Sequence, residues 1–426
     1  MRNHPSSSPP FIVSPVSDFR SWPASIRNCL AALCALLAFA SVHAAPETRA
    51  WSAITALAKG QTVYWNAWGG DERTNAFIAW AGGELKRRYG VTVQQVKLKD
   101  TAEAVSRVVA EKSAGRDVGG SVDLIWINGP NFLALKSQGL LFGPFTQALP
   151  NSRFVDTTHK PANLIDFTVP VEGLESPWRA AQFVFIHDSA RLPAAALPRS
   201  AEALLDWACK HPGRLTHPTL RNFLGATFLK QALVELTPDP GVLQQPATDA
   251  GFGPATAPLW AWYEALRPCL WRAGREFPES GPAERQLMND GEIDIHMSFD
   301  PAEAAASIAS HLLPATARVF VMDKGAIGNT SFVAIPYNAA HKEAAMVLAN
   351  FLLEPATQAR AQEPAYGGSF TVLDLGKLPA DQRALFAPKV DVPGLPSNAL
   401  LGAQLPEPHA SWMTRIAAEW ERRSSR

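Results

Sequence analysis

Trp65, Asn66, Trp68, Gly69, Gly70 and Asp71 crowd two indoles, an amide, a flexible turn and a carboxylate into one short stretch. Indole faces beside a carboxylate suit an organic cation, through cation–π contact and charge. Turn amides at the start of a helix suit an anion instead. The stretch supports both chemistries and does not choose between them. Further polar and aromatic groups fall at or near element ends: Asn128 and Asn131 after a strand, Trp178 and Gln182 near a crossing segment, Asn222 and Phe223 before a helix, Ser298, Phe299 and Asp300 after a strand, and Asn329 and Ser331 before one. Asparagine and serine at such places also cap helices and turns, so their shared placement says more than any one of them. Trp126 falls within a strand and reads as core. His296 reads as a satisfied strand residue rather than a metal ligand. No His-Glu-x-x-His, Gly-x-Ser-x-Gly, P-loop or Cys/His cluster at metal spacing occurs, so neither an enzyme nor a cofactor or metal site is expected. The competing reading is a secreted hydrolase using a carboxylate pair such as Glu292 and Asp294. Alternating along a strand, those two read better as one solvated face.

The elements that would position these groups follow from local patterns. Thr62 to Trp65 is β-branched and aromatic, which suits a strand. Asp71 can cap a helix carrying Ile78, Ala81, Leu85 and Tyr89, and Gly90 can end it. Val91 to Leu98 reads as a second strand, and Asp100 with Glu103 as a capping box before a second helix. Val122 to Ile127 is nearly continuous apolar sequence, as in a strand buried on both faces. Asn128-Gly129-Pro130-Asn131 then turns into a short helix. This alternation predicts an α/β fold with a doubly wound sheet whose ligand face lies at the carboxyl ends of its strands. Arg179 to His187 reads as one long strand. Thr237 to Pro258 reads as loop, Leu259 to Leu270 as helix, and Arg318 to Met322 as a strand. Gly328-Asn329-Thr330-Ser331 should precede a strand from Phe332 to Ile335. Ala339 to Leu353 and Ser411 to Arg423 read as helices.

The 426 residues exceed the usual size of one core, so two domains are expected. Lys plus Arg and Asp plus Glu number 39 each, and no basic run occurs, so the charge gives no footprint for nucleic acid. Arg20 and Arg27 precede an apolar run from Cys29 to Val42, and Val42-His43-Ala44 supplies small residues for a signal peptidase. Residues 1–44 therefore read as a secretory signal peptide cleaved after Ala44, which places the mature chain in the periplasm. Cleavage leaves Cys209 and Cys269, which read either as a disulfide or as two buried thiols. The oxidising compartment favours the bridge.

The order of segments resembles the solute-binding proteins of ABC importers, and in particular the YnjB-like family. The marks are Gly60-Gln61-Thr62-Val63-Tyr64-Trp65-Asn66-Ala67-Trp68-Gly69-Gly70 and the stretch from Gly119 to Phe132. Ser176-Pro177-Trp178, Asp290-Gly291-Glu292-Ile293-Asp294 and Gly328-Asn329-Thr330-Ser331-Phe332 support them. The resemblance implies a type II periplasmic-binding fold: two lobes, each a doubly wound sheet flanked by helices, with a ligand cleft between. Residues 45–178 plus 324–354 would form one lobe and residues 179–323 plus 355–426 the other. It also implies a small-molecule solute, an importer permease in the inner membrane as partner, and a monomeric protein. The implied ligand contacts are Trp65, Asn66, Trp68, Gly69, Asp71, Asn128, Asn131, Trp178, Gln182, Asn222, Ser298, Asp300 and Asn329.

Overall fold

A helix, α1 (Trp51–Ala58), leads into strand β1 (Thr62–Trp68), and Asp71 then caps α2 (Glu72–Tyr89) by accepting from the Thr74 N–H at 3.0 Å. Gly90 ends α2 with φ 67°, a left-handed conformation that only glycine adopts without strain. These coordinates come from a computed structural model, which describes residues 46–387, 392–402 and 404–424; the signal peptide assigned above lies outside them. Strand β2 (Thr92–Leu98), helix α3 (Ala102–Ser113), strand β3 (Leu124–Ile127) and helix α4 (Pro130–Ser137) continue the alternation. A small hairpin, β4 (Ile165–Asp166) and β5 (Val169–Pro170), follows.

The chain then crosses between two sheets. The stretch expected as one long strand is two, β6 (Glu175–Gln182) and β7 (Val184–Asp188), broken at Phe183. It returns through β8 (Ile295–Ser298), β9 (Ala317–Phe320) and β10 (Ala326–Ala334), with a short β11 (Gln404–Leu405) near the end. The larger sheet has the order β11-β10-β3-β1-β2, with β6 also paired to β10. Strands β1, β2 and β3 are mutually parallel, as doubly wound order requires, while β10 runs antiparallel to β3 because it enters from the other sheet. The smaller sheet, β8-β7-β9, is antiparallel throughout. The Phe183 N–H donates to the Ile327 carbonyl at 2.7 Å, tying the two crossing segments together.

Helices cover both faces of both sheets. On the larger sheet, Val63, Trp65, Ala67 and Leu124 pack with α1, α2 and the buried helix Lys342–Leu352. Ile125, Ile127 and Phe332 pack on the other face against α3 and α4. On the smaller sheet, Phe185, Met297 and Phe320 pack on α5 (Ala201–Lys210), α6 (Phe223–Leu236) and α7 (Asp249–Leu266). Val184, Ile186 and Val319 face α8 (Gly281–Asn289) and α9 (Glu303–Ala309). The remaining long helices are α10 (Lys342–Leu352), α11 (Pro355–Ala361) and α12 (Ala410–Ser424). Helix α7 starts ten residues before the expected Leu259, although Pro254 and Pro258 lie inside it. Its Thr248 cap and its buried Leu259, Trp260, Tyr263 and Leu266 outweigh the missing N–H groups. Cys209 and Cys269 form a disulfide that closes 60 residues around this bundle.

Candidate functional site

Strand β1 runs three residues further than expected, and this moves the site. Trp65 becomes a mid-strand residue with 0 % exposure, edge-on to the buried Trp178 at 5.6 Å. Both were expected in the cleft, and both belong to the core of the larger sheet. Asn66 is also fully buried, its amide donating to the Tyr64 carbonyl. Trp68 ends the strand partly exposed, edge-on to Trp126 at 6.5 Å. Trp126, expected in the core, is itself partly exposed. Gly69 donates its N–H to Leu98, and a Cβ there would meet Lys97 Cβ at 2.6 Å, so its glycine identity follows from strand packing. Asp71 is the α2 cap and also accepts from Arg73 Nε at 3.1 Å.

Opposite these stands the smaller sheet. Asp300, after β8, accepts from Arg179 on β6 at 3.1 Å, and this ion pair joins one sheet to the other. The Arg179 guanidinium lies 5.6 Å from the centre of the Trp126 ring and 5.4 Å from that of Trp178. Arg73, at the start of α2, reaches Ser307 of α9 at 3.4 Å. Burial pushes the Asp300 carboxyl up to about 6, opposed by the charges of Arg179 and Arg73. Behind it, Ser298 donates to Glu303 and accepts from the Asp300 N–H. His296 is fully buried, with Nδ1 3.0 Å from Glu284 and Nε2 3.5 Å from Glu303. Burial disfavours the charged imidazole, yet the two carboxylates hold it above its ordinary value; burial in turn raises Glu284. His296 is thus a buried strand residue whose Nδ1 is hydrogen-bonded to Glu284, while its Nε2 has only the longer approach to Glu303.

A second set of groups meets lower in the same interface. Lys230 of α6, with 0 % exposure, donates to Glu407 at 2.6 Å and lies 4.3 Å from the Phe167 ring centre and 5.1 Å from that of Phe223. Asn329 donates to the same Glu407 at 3.1 Å. Phe223 in turn meets Phe167 of the larger-sheet half at 6.1 Å and Phe299 at 5.4 Å. The Gly129 N–H at the start of α4, between the expected ligand positions Asn128 and Asn131, donates to the buried Asp166 carboxylate at 2.6 Å. Asn128 and Asn131 flank it, both partly exposed. Asn222 caps α6 through the Leu224 N–H, and Gln182 donates to the Leu401 carbonyl. Asn329 and Ser331 lie inside β10 rather than before it, because that strand begins at Ala326.

The structure therefore brings Trp68, Trp126, Arg73, Arg179 and Asp300 to one place, and Lys230, Glu407, Phe167, Phe223 and Asn329 to another. Arg73, Arg179, Lys230 and Glu407 went unread in the sequence. Lone basic residues within helical or strand patterns look like solvated faces, and Glu407 lies 177 residues from its partner. The Glu292 and Asp294 pair does not converge: Glu292 accepts from Trp271 Nε1, while Asp294 pairs with Arg214. Asp156, His159 and Asp374 bring ligand atoms within 4.8 Å of one another. Asp156 there accepts from the Thr158 and His159 N–H groups, which is ordinary loop capping.

Two helix-flanked sheets joined by crossing strands, with charged and aromatic side chains between them, define a type II periplasmic-binding architecture. Residues 83–380 match the family described as bacterial extracellular solute-binding protein. The chain is also 43% identical over 372 residues to Protein YnjB of Escherichia coli (strain K12), covering 87% of this chain and 92% of that one. It belongs to the bacterial extracellular solute-binding proteins. The TpPotD lipoprotein of Treponema pallidum shares the fold, with a TM-score of 0.61 at 13% identity over 85% of this chain and 99% of that one. So does fructose-6-phosphate-bound AfuA from Actinobacillus pleuropneumoniae, with a TM-score of 0.58 at 13% identity over 84% and 97%.

Proposed function

We propose that this protein captures a small solute between its two sheets, against Trp68, Trp126 and Arg179, and presents the closed form to an inner-membrane permease. The observation that carries the reading is the Arg179–Asp300 pair, a polar contact that spans from one sheet to the other. Crossing segments act as hinges, so the two halves can part and close around a ligand. Binding to the closed form then sets how much of it exists. The first lobe comprises residues 45–178 and 324–354, to which we add 355–386, because Ala361, Val372, Leu373 and Leu378 pack into the larger sheet's core. The second comprises residues 179–323 with the C-terminal helix, whose Trp412, Ile416 and Trp420 pack on the smaller sheet. The mature protein works as a periplasmic monomer after cleavage at Ala44, without enzymatic turnover.

Native mass spectrometry of the mature protein, purified gently from the periplasm, tests capture. The expected result is a small adduct that is released intact on denaturation and lost in Trp126→Ala. An adduct that persists unchanged in Trp126→Ala places binding elsewhere, and a chemically altered adduct indicates turnover.

A further inference from the structure

We infer that the captured solute carries an anionic group, a carboxylate or phosphate, which binds Arg179 in the place that Asp300 fills when the cleft closes on itself. The inference rests on the capture reading above and names the class of solute.

Arg179 belongs to β6 of the larger sheet, and its guanidinium rests on two indoles of the same half, Trp126 and Trp178. Asp300 belongs to the loop after β8 of the smaller sheet. When the halves part, Arg179 keeps its aromatic bed and loses Asp300, the one carboxylate with which it forms an ion pair among the described residues. Asp71, an acid of the same half, is engaged by Arg73 Nε and by the Thr74 N–H and hydroxyl. The open half therefore offers a guanidinium held on aromatic faces and without a carboxylate partner, whose planar fork matches carboxylate and phosphate oxygens. A cationic solute would meet the wrong charge there.

On the other half, Asp300 is partly provided for when the halves separate. One of its oxygens accepts from the Ala302 N–H at 3.1 Å and caps its own loop. Glu303 is held by Arg285, His296 and Ser298, all of the smaller-sheet half. Burial raises the Asp300 pKa, so keeping this carboxylate ionised in the closed form carries a desolvation cost that Arg179 and Arg73 only partly offset. Asp300 thus behaves as an internal stand-in for the solute and competes with it for Arg179.

The test titrates wild type, Asp300→Asn, and Asp300→Asn combined with Arg179→Gln or Arg179→Lys. Inorganic phosphate and citrate serve as anionic probes and spermidine as the cationic one, with tryptophan fluorescence as readout. Removing the competitor should tighten binding of at least one anion on the order of tenfold, the change expected when a modest ion pair no longer opposes the ligand. Arg179→Gln should abolish that gain, and Arg179→Lys should keep part of it. The inference is overturned if Asp300→Asn binds neither anion better than wild type, or if the gain survives Arg179→Gln. Spermidine binding that is lost in Asp300→Asn overturns it as well. The native-mass adduct separates the two readings: a neutral or cationic solute that depends on Trp126 leaves capture intact and removes the anionic class, whereas an acidic solute supports both.

Discussion

Glu407 gives the sharpest stability prediction. Its carboxylate, with the residue 4 % exposed, accepts from Lys230 at 2.6 Å and from Asn329 at 3.1 Å. Burial depresses the pKa of Lys230 and raises that of Glu407, so each ion stays charged mainly because the other is there. Glu407→Gln leaves an ammonium with 0 % exposure that faces an uncharged amide, the rings of Phe167 and Phe223 and the charge of Asp166. Breaking a buried pair this way costs about 3–5 kcal/mol, against less than about 1 kcal/mol for a pair in water. Cation–π contact already exists in the native state, so it offsets none of the loss. Urea unfolding of wild type, Glu407→Gln, Lys230→Met and the double variant measures the effect. The double variant should recover more than half of the loss, because no uncompensated charge remains. A Glu407→Gln cost below about 0.5 kcal/mol, or a double variant no better than either single one, refutes the reasoning.

Glu175 is fully buried, neither of its carboxylate oxygens has a partner among the described residues, and burial raises its pKa well above 4.5. A raised folded pKa means that stability is full below the unfolded value and falls as pH rises through the folded one. Glu175→Gln should therefore raise Tm at pH 8 and make the decline of Tm above about pH 4.5 shallower; an unchanged slope contradicts this. Replacing Cys209 and Cys269 together by alanine should cost about 4 kcal/mol for a 60-residue loop on the chain-entropy argument, measured by urea unfolding under oxidising conditions. Trp126→Ala should weaken solute binding by tenfold or more with little change in Tm, because the ring is partly exposed, whereas Trp65→Ala should cost about 3–5 kcal/mol of stability, because that ring fills the core. Equal effects on binding and stability at the two positions would remove that division of roles.

The opening strand, turn and helix were legible because their signals are local: β-branched residues in β1, Asp71 as cap and Gly90 as the left-handed end of α2. The crossing organisation was legible only through family likeness, since nothing in the run from Arg179 to His187 marks Phe183 as the point where one sheet ends and the next begins. The site itself was half read. Strand ends are the least secure part of such a reading, and extending β1 from Trp65 to Trp68 exchanged a cleft residue for a core one. Trp126 lies within β3 as expected and packs against the core, but it is only partly buried and its ring also receives the Arg179 guanidinium. The Lys230–Glu407 and Arg179–Asp300 pairs are contacts between distant segments, and no periodicity encodes them.

Closure around a solute is the central claim, and small-angle scattering reads it directly. The mature protein would be stripped of solute by unfolding and refolding, then measured before and after addition of small molecules extracted from the periplasm. Parted halves that close on the solute predict a smaller radius of gyration after the addition, reversed by a second stripping. An identical radius in all three states, with solute bound by mass, contradicts capture between the sheets.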